Sequence, residues 1–238
     1  MPPPKTRKRP SRRFLGRLTG FALRLFLFIL VLTSLQVAIS RFINPPFTAT
    51  MAWEWIYATF SSANYIPPSM IWRPLEEVSP HLKRAVLAAE DQRFMNHHGF
   101  DFVELEKAIE DALHDKGVRG ASTISMQAAR TVFLWPDRTL VRKAFEAYYT
   151  VLIELFWDKH RILEVYINMV DWGRGVRGAE AACRAYFNVG CDEVSRYQAA
   201  ALAAILPNPY RWSPVEPEGR PALRTQRILR AMDMMPQL

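Results

Sequence analysis

The sequence predicts a mostly α-helical domain held outside a membrane by one N-terminal helix. Three observations point there. Leu25–Ile39 is an uncharged apolar run, helix-start residues recur ahead of apolar residues at helical spacing from Ser79 onward, and strand-like alternation is nearly absent. With 238 residues, 50% of them hydrophobic, the chain can bury a core, which argues against wholesale disorder.

Charge placement orients the N-terminal run. Residues 1–40 hold Lys5, Arg7, Lys8, Arg9, Arg12, Arg13, Arg17 and Arg24 and no acid, so the net charge of +8 resides there and the remainder is neutral. The high isoelectric point therefore reports a basic tail and excludes nucleic acid as a partner. Extended back to Leu18, the run is long enough for a bilayer core, which needs roughly 20 apolar residues. Arg24 falls near one end, where it can snorkel to the headgroups. Positive charges precede the span and only Arg41 follows at once, which places the N-terminus in the cytoplasm and the rest outside. No A-x-A site follows the run, so it reads as a retained anchor rather than a cleaved signal. The chain divides into a basic tail (1–17), a transmembrane helix (18–40), an aromatic membrane-proximal segment (41–75) and a main domain (76–238). Phe47, Trp53, Trp55, Tyr57, Phe60, Tyr65 and Trp72 crowd the third part. They suit either packing against the main domain or contact with the lipid interface.

In the main domain each helix has its own signal. Ser79-Pro80 is an N-cap with proline at the first helical position, opening a helix to Glu90. Asp101 caps a second helix ending near Gly117, and Ser122 caps a third that stops before Trp135-Pro136. Thr139–Trp157 reads as a long amphipathic helix with Phe145, Tyr148, Leu152 and Leu155 on its core face. Shorter helices are expected near 161–169, 178–187, 195–206 and 221–234, with Gly173, Gly175 and Gly178 marking a loop. Two cysteines exclude a disulfide-rich scaffold and a four-thiolate zinc site. Cys183 and Cys191 are either bridged or, in the case of Cys183, buried in its helix.

Several strings carry chemistry. Glu90-Asp91 ends a helix, where acids oppose the macrodipole; the pair is either solvated or functional. His97-His98 lacks accompanying metal-ligand spacing and reads as structural. Residues 120–130, GASTISMQAAR, form a small-residue turn into a helix, whose free N–H groups suit an anion. Arg119, Arg130, Arg138, Arg142 and Lys143 stand against the lone acid Asp137 in 119–143, as a solvated basic face or an anion site. Arg142 and Glu146 share a helix face, as a surface ion pair or as a carboxylate organising cations or a metal.

Together these strings resemble a known family. EDxxFxxHxGxD at 90–101, GASTISxQ at 120–127, RKxxE at 142–146 and ILExYxN at 162–168 are similar to successive motifs of the peptidoglycan glycosyltransferases of glycosyltransferase family 51. WRPLEEVSP (72–80) and LPNPYRWSP (206–214) extend the likeness, and the short, singly anchored architecture resembles its monofunctional members. No SxxK or KTG occurs, so a transpeptidase half is not expected. Departures are Ala121, Ser125 and Met126 within the second motif, Arg130 for a lysine and Gln198 for a glutamate.

The resemblance implies a lysozyme-like helical lobe with a small membrane-proximal jaw. It implies transfer of a growing glycan from undecaprenyl pyrophosphate to the 4-hydroxyl of lipid II, with inversion, in cell-wall synthesis at the inner membrane. Glu90 is then the base, its pKa raised by burial. Arg130, Arg138, Arg142 and Lys143 meet the pyrophosphate, and Glu146 organises them or holds a divalent cation, Mg or Mn. Ser122, Thr123 and Gln127 contact the donor, while Asp91 and Phe94 hold Glu90 in place. Glu90 and the cations should share one groove. Partners would be lipid II, nascent glycan, the membrane and other cell-wall synthases or division proteins. A lysozyme-like hydrolase or lytic transglycosylase is the rival enzyme, and a non-enzymatic membrane scaffold of the division machinery the rival class.

Overall fold

The computed structural model describes residues 12–61, 67–114, 120–137 and 139–238. Lys5–Arg9, Tyr65, Gly117, Arg119 and Arg138 lie outside the described residues. The chain is mostly helical, as predicted. α1 (Arg12–Ser40) contains Thr19–Ser40, which is long and apolar enough to cross a membrane. α2 (Ala49–Ser61) follows, then α3 (Pro80–Glu90), α4 (Phe102–Leu113), α5 (Ile124–Phe133), α6 (Leu140–Phe156) and α7 (Lys159–Met169). A short antiparallel hairpin, β1 (Asp171–Gly173) and β2 (Val176–Arg177), precedes α8 (Ala179–Phe187), α9 (Arg196–Ile205) and α10 (Gly219–Ala231).

Caps set most helix starts. The Ser79 hydroxyl accepts from His81 N–H ahead of Pro80, and Asp101 accepts from Val103 and Glu104 N–H. Thr139 and Asp158 cap α6 and α7. α9 begins with a full capping box between Ser195 and Gln198, which gives Gln198 a structural role. Gly178 opens α8 at φ +81, and a Cβ there would lie 2.5 Å from the Asn168 carbonyl oxygen, so only glycine fits.

The core lies between α3, α9 and α10 on one side and α5, α6 and α7 on the other. α9 reads Ala199–Ala204 with only Leu202 large, and all six are buried. Small side chains there let α3 and α10 pack close on either flank. Leu82, Val86, Ile162, Leu163, Ile167 and Trp172 complete the interior. α1 is also joined to this body. Trp157 Nε1 donates to the Val37 carbonyl at 2.8 Å, Arg41 to the Phe156 carbonyl at 2.8 Å, and Arg161 to the Ser40 carbonyl at 2.9 Å.

Four expectations need correction. α4 ends at Leu113, short of Gly117, with His114 as its C-cap. Thr123, not Ser122, caps α5, because its hydroxyl reaches Met126 N–H. On α6 Leu152 is buried and Tyr148 packs partly against the core, as expected, but Phe145 and Leu155 are exposed, and Arg142, Glu146, Tyr149, Thr150 and Ile153 fill the rest of the inward stripe. The reason is that Arg142 and Glu146 neutralise each other, so charged side chains turn inward and an apolar stripe turns out. The glycine-marked loop is a hairpin, closed by Ser69, whose N–H donates to Gly175 and whose carbonyl accepts from Arg177.

The aromatic segment divides between an inward-packed tryptophan and an exposed set on α2. Trp72 packs inward, under the Arg161 guanidinium and bonded to Glu164. Trp53, Trp55, Tyr57 and Phe60 on α2 are exposed. Cys183 and Cys191 are free thiols, both buried, so no bridge links them.

Candidate active site

Glu90 is the last residue of α3, and its carboxylate is caught between two other helices. Gln127 Nε2 of α5 donates to Oε2 at 2.9 Å, and Arg224 Nη2 of α10 donates to Oε1 at 3.0 Å. Only 13% of the side chain is exposed. Burial raises its pKa above the usual carboxylate range. The Gln127 hydrogen bond and the charges of Arg224 and Arg130 pull it back, and Asp91 pushes it up. Such a group is a stronger proton acceptor than a solvated glutamate.

Its neighbours form a closed chain of contacts. Asp91 is buried, with both oxygens 3.0 Å from His97 Nε2, and it accepts from Ile124 N–H at the start of α5. α5 in turn places Gln127 on Glu90. The Gln127 side-chain oxygen accepts from the Tyr166 hydroxyl of α7 at 3.4 Å. Phe94 is buried under Lys159, whose ammonium sits 4.5 Å from the ring centre, and meets His97 edge-on. Gly99, at φ +90, lets the loop approach α6; a Cβ would fall 2.8 Å from the Thr150 methyl. His97 is thus structural, and His98 is exposed. The donor atoms of Asp91, His97 and Asp101 lie within 4.8 Å of one another. Asp91 is bonded to His97 Nε2 and to a backbone N–H, and Asp101 to two backbone N–H groups and, as an ion pair, to Arg93, while His97 Nδ1 has no hydrogen-bond partner.

A cavity of about 830 Å³ opens against Glu90. Its walls are the end of α3 through Arg93, Asp101, Glu104 and Lys107 around α4, Gly120–Thr123, and Arg224 and Arg227 of α10. Ser122 lines it directly. Thr123 also lines it, but its hydroxyl is engaged, donating to the Gly99 carbonyl at 2.6 Å while capping α5.

The expected cationic cluster divides. Arg130 stands on α5 one turn beyond Gln127, close enough to act on Glu90 and Tyr166. Arg142 and Lys143 instead bind Glu146, at 2.7 Å and 2.5 Å, and none of these three lines the cavity against Glu90. Glu146 is fully buried. Each of its carboxylate oxygens already holds a cation, so these residues do not fit a divalent metal at Glu146.

Arg224 and Arg227 were not among the residues singled out from sequence. They are three apart on a strongly amphipathic C-terminal helix, and that shared face was the available signal. Tyr166 lay inside a recognised string but had no assigned role.

A desolvated carboxylate at the mouth of a helical cavity, flanked by cations, defines an enzyme working by proton transfer on a charged or polar substrate. A family profile described as "Transglycosylase" matches residues 61–233. The chain is 44% identical over 220 residues to the biosynthetic peptidoglycan transglycosylase of Caulobacter vibrioides, covering 92% of this chain and 93% of that one. It is 46% identical to the protein of the same name from Chromohalobacter salexigens, covering 93% and 94%. With that of Bacteroides thetaiotaomicron it shares 42% identity, covering 93% and 89%. The chain belongs to the transglycosylase family and is a glycosyltransferase.

Proposed function

We propose that this glycosyltransferase polymerises the glycan strands of peptidoglycan from lipid II, with Glu90 as the general base. The observation that carries the assignment of the base is the Glu90 carboxylate itself, dehydrated and held by Gln127 and Arg224 against an open cavity. The 4-hydroxyl of lipid II gives its proton to Glu90, and its oxygen bonds to the anomeric carbon of the growing chain. The bond from that carbon to the diphosphate breaks, and the electron pair leaves on the diphosphate. One displacement inverts an α linkage to β. Arg130 meets the charge nearest Glu90, and the family resemblance assigns Arg138, Arg142 and Lys143 to the diphosphate. Ser122 and Gln127 contact the donor. Thr123, Asp91 and Phe94 hold the base and α5 in place. A divalent cation, Mg or Mn, enters this reading only as a companion of the substrate's diphosphate, because Glu146 is already neutralised.

The same reading places the protein in the inner membrane as a single-pass protein. Its N-terminus is cytoplasmic and its catalytic domain periplasmic, in the company of other cell-wall synthases or division proteins. Tethering both the enzyme and its lipid-borne substrates to one surface raises their effective concentration. A hydrolase would need a second free carboxylate across the scissile bond. The cavity is instead flanked by the cations Arg224 and Arg227, which suit a diphosphate leaving group better than a neutral sugar linkage.

The test is polymerisation of purified lipid II by the full-length protein in detergent. Glu90→Gln should lose roughly 100-fold or more of the rate, the usual scale for removing a general base. A Glu90→Gln protein as active as the wild type would remove Glu90 from the reaction. Turnover of preformed glycan but not of lipid II would favour the hydrolase.

A further inference from the structure

The contact between Glu90 and α10 extends the assignment of Glu90 as base and rests on it. Arg224 donates through Nε to the Ala204 carbonyl at 3.2 Å, at the end of α9. Through Nη2 it donates to the Ala89 carbonyl at 3.3 Å and to Glu90 Oε1 at 3.0 Å. One rigid, permanently charged fork on α10 thus joins the ends of two helices, α9 and α3, to one carboxylate oxygen. Gln127 holds the other oxygen. Each carboxylate oxygen offers two lone pairs, so the acid is clamped on both sides and still keeps room to accept a proton.

We propose that Arg224 is a positioning residue of the transferase reaction: it aims the Glu90 carboxylate into the cavity and keeps it ionised where water is largely excluded. The groups facing Glu90 are Asp91 beside it, Gln127 and Arg130 from α5, Tyr166 from α7, and Arg224 from α10. Asp91 opposes ionisation, Gln127 is neutral, and Arg130 makes no direct bond to the carboxylate. Arg224 is therefore the one cation in contact with the base among the described residues. Losing it leaves burial opposed only by Gln127 and the more distant Arg130.

The experiment measures kcat and KM for lipid II against pH, on full-length protein in detergent, for wild type, Arg224→Gln, Arg224→Lys and Glu90→Gln. Arg224→Gln should move the acidic limb of kcat upward by about one pH unit, the low end of what an adjacent opposite charge supplies. Its kcat on the acid side should fall about tenfold, with KM little changed. Arg224→Lys should bring the limb back near its wild-type position yet remain slower, because an ammonium keeps the charge and loses the fork. A slower Arg224→Gln whose limb stays in place would show a merely structural residue and overturn the proposal. Should Arg224→Gln fail to fold, Arg224→Lys still decides, since an unchanged kcat there overturns it too. Glu90→Gln separates the two readings: if it polymerises normally, the base assignment fails. If it is inactive and the Arg224 limb is unmoved, only the role of Arg224 fails.

Discussion

Glu180 shows how one buried carboxylate ties distant segments together. It is fully buried on α8, accepting from Arg73 at 3.1 Å, Arg184 at 2.7 Å and the Cys191 N–H at 2.9 Å. Burial raises its pKa, but the Cys191 amide and the two guanidinium groups outweigh that and hold it at about 2. A depressed carboxylate stabilises the fold above its unfolded pKa, near 4.5, and that contribution drains away as pH falls toward about 2. Thermal midpoints should therefore drop across that window, and Glu180→Gln should flatten the drop while costing about 2 kcal/mol at neutral pH. A variant with the wild-type acid profile would show that the network is inert. The nearby thiols follow the same logic. Burial pushes Cys183 up to about 12 and Cys191 above the ordinary thiol range. Neither should react with iodoacetamide at pH 8 in the folded protein, and both should react once it is unfolded. Mass spectrometry that finds either one modified in the native state would contradict their burial.

At the level of elements, the start of α5 is the most consequential joint, because it delivers Gln127 to the base. Thr123 both caps the helix and bonds the Gly99 carbonyl, whereas Ser122 does neither. Thr123→Ala should cost about 1–2 kcal/mol in chemical denaturation, and Ser122→Ala close to nothing. Equal losses would return the cap to Ser122. Local signals made this joint half legible: a hydroxyl before an apolar run announces a cap, but two adjacent hydroxyls leave its register open. Ser79-Pro80, Asp101 and Thr139 were readable because each stood alone. α6 misled because its pattern was read as though apolar meant inside. The Arg142–Glu146 pair, whose shared face the spacing did show, is buried rather than on the surface, and the spacing alone does not say which side of a helix such a pair takes. In the site, Glu90, Asp91 and Gln127 stood out within compact motifs. Arg224 did not, since its contact with Glu90 spans 134 positions and exists only once α10 packs on α9 and α3.

For the whole molecule, the apolar helix α1 is part of the body rather than a loose tether. Val37, inside the apolar span, is completely buried, and the Thr33 hydroxyl lies 2.6 Å from that of Tyr148 on α6. Counting from Ser40 back to Thr33 at the helical rise gives about 10 Å along the axis. If the span ends at the membrane surface at Ser40, Tyr148 and the middle of α6 lie at a similar depth, within the outer leaflet. On the proposed membrane reading, that depth would cover the outward apolar stripe on α6, where Leu140 is 90% and Leu155 71% exposed, and Phe60 of α2 at 87%. Spin labels on cysteines introduced at Leu155 and Phe60 of the full-length protein in nanodiscs should therefore meet oxygen more readily than a water-soluble nickel chelate. A label at Gln226 on α10, which packs against α9 and α3, should show the reverse. The native thiols are buried and should not take the label. Labels at Leu155 and Phe60 that both favour the nickel chelate would lift the domain clear of the bilayer. The apolar stripe would then need another cover.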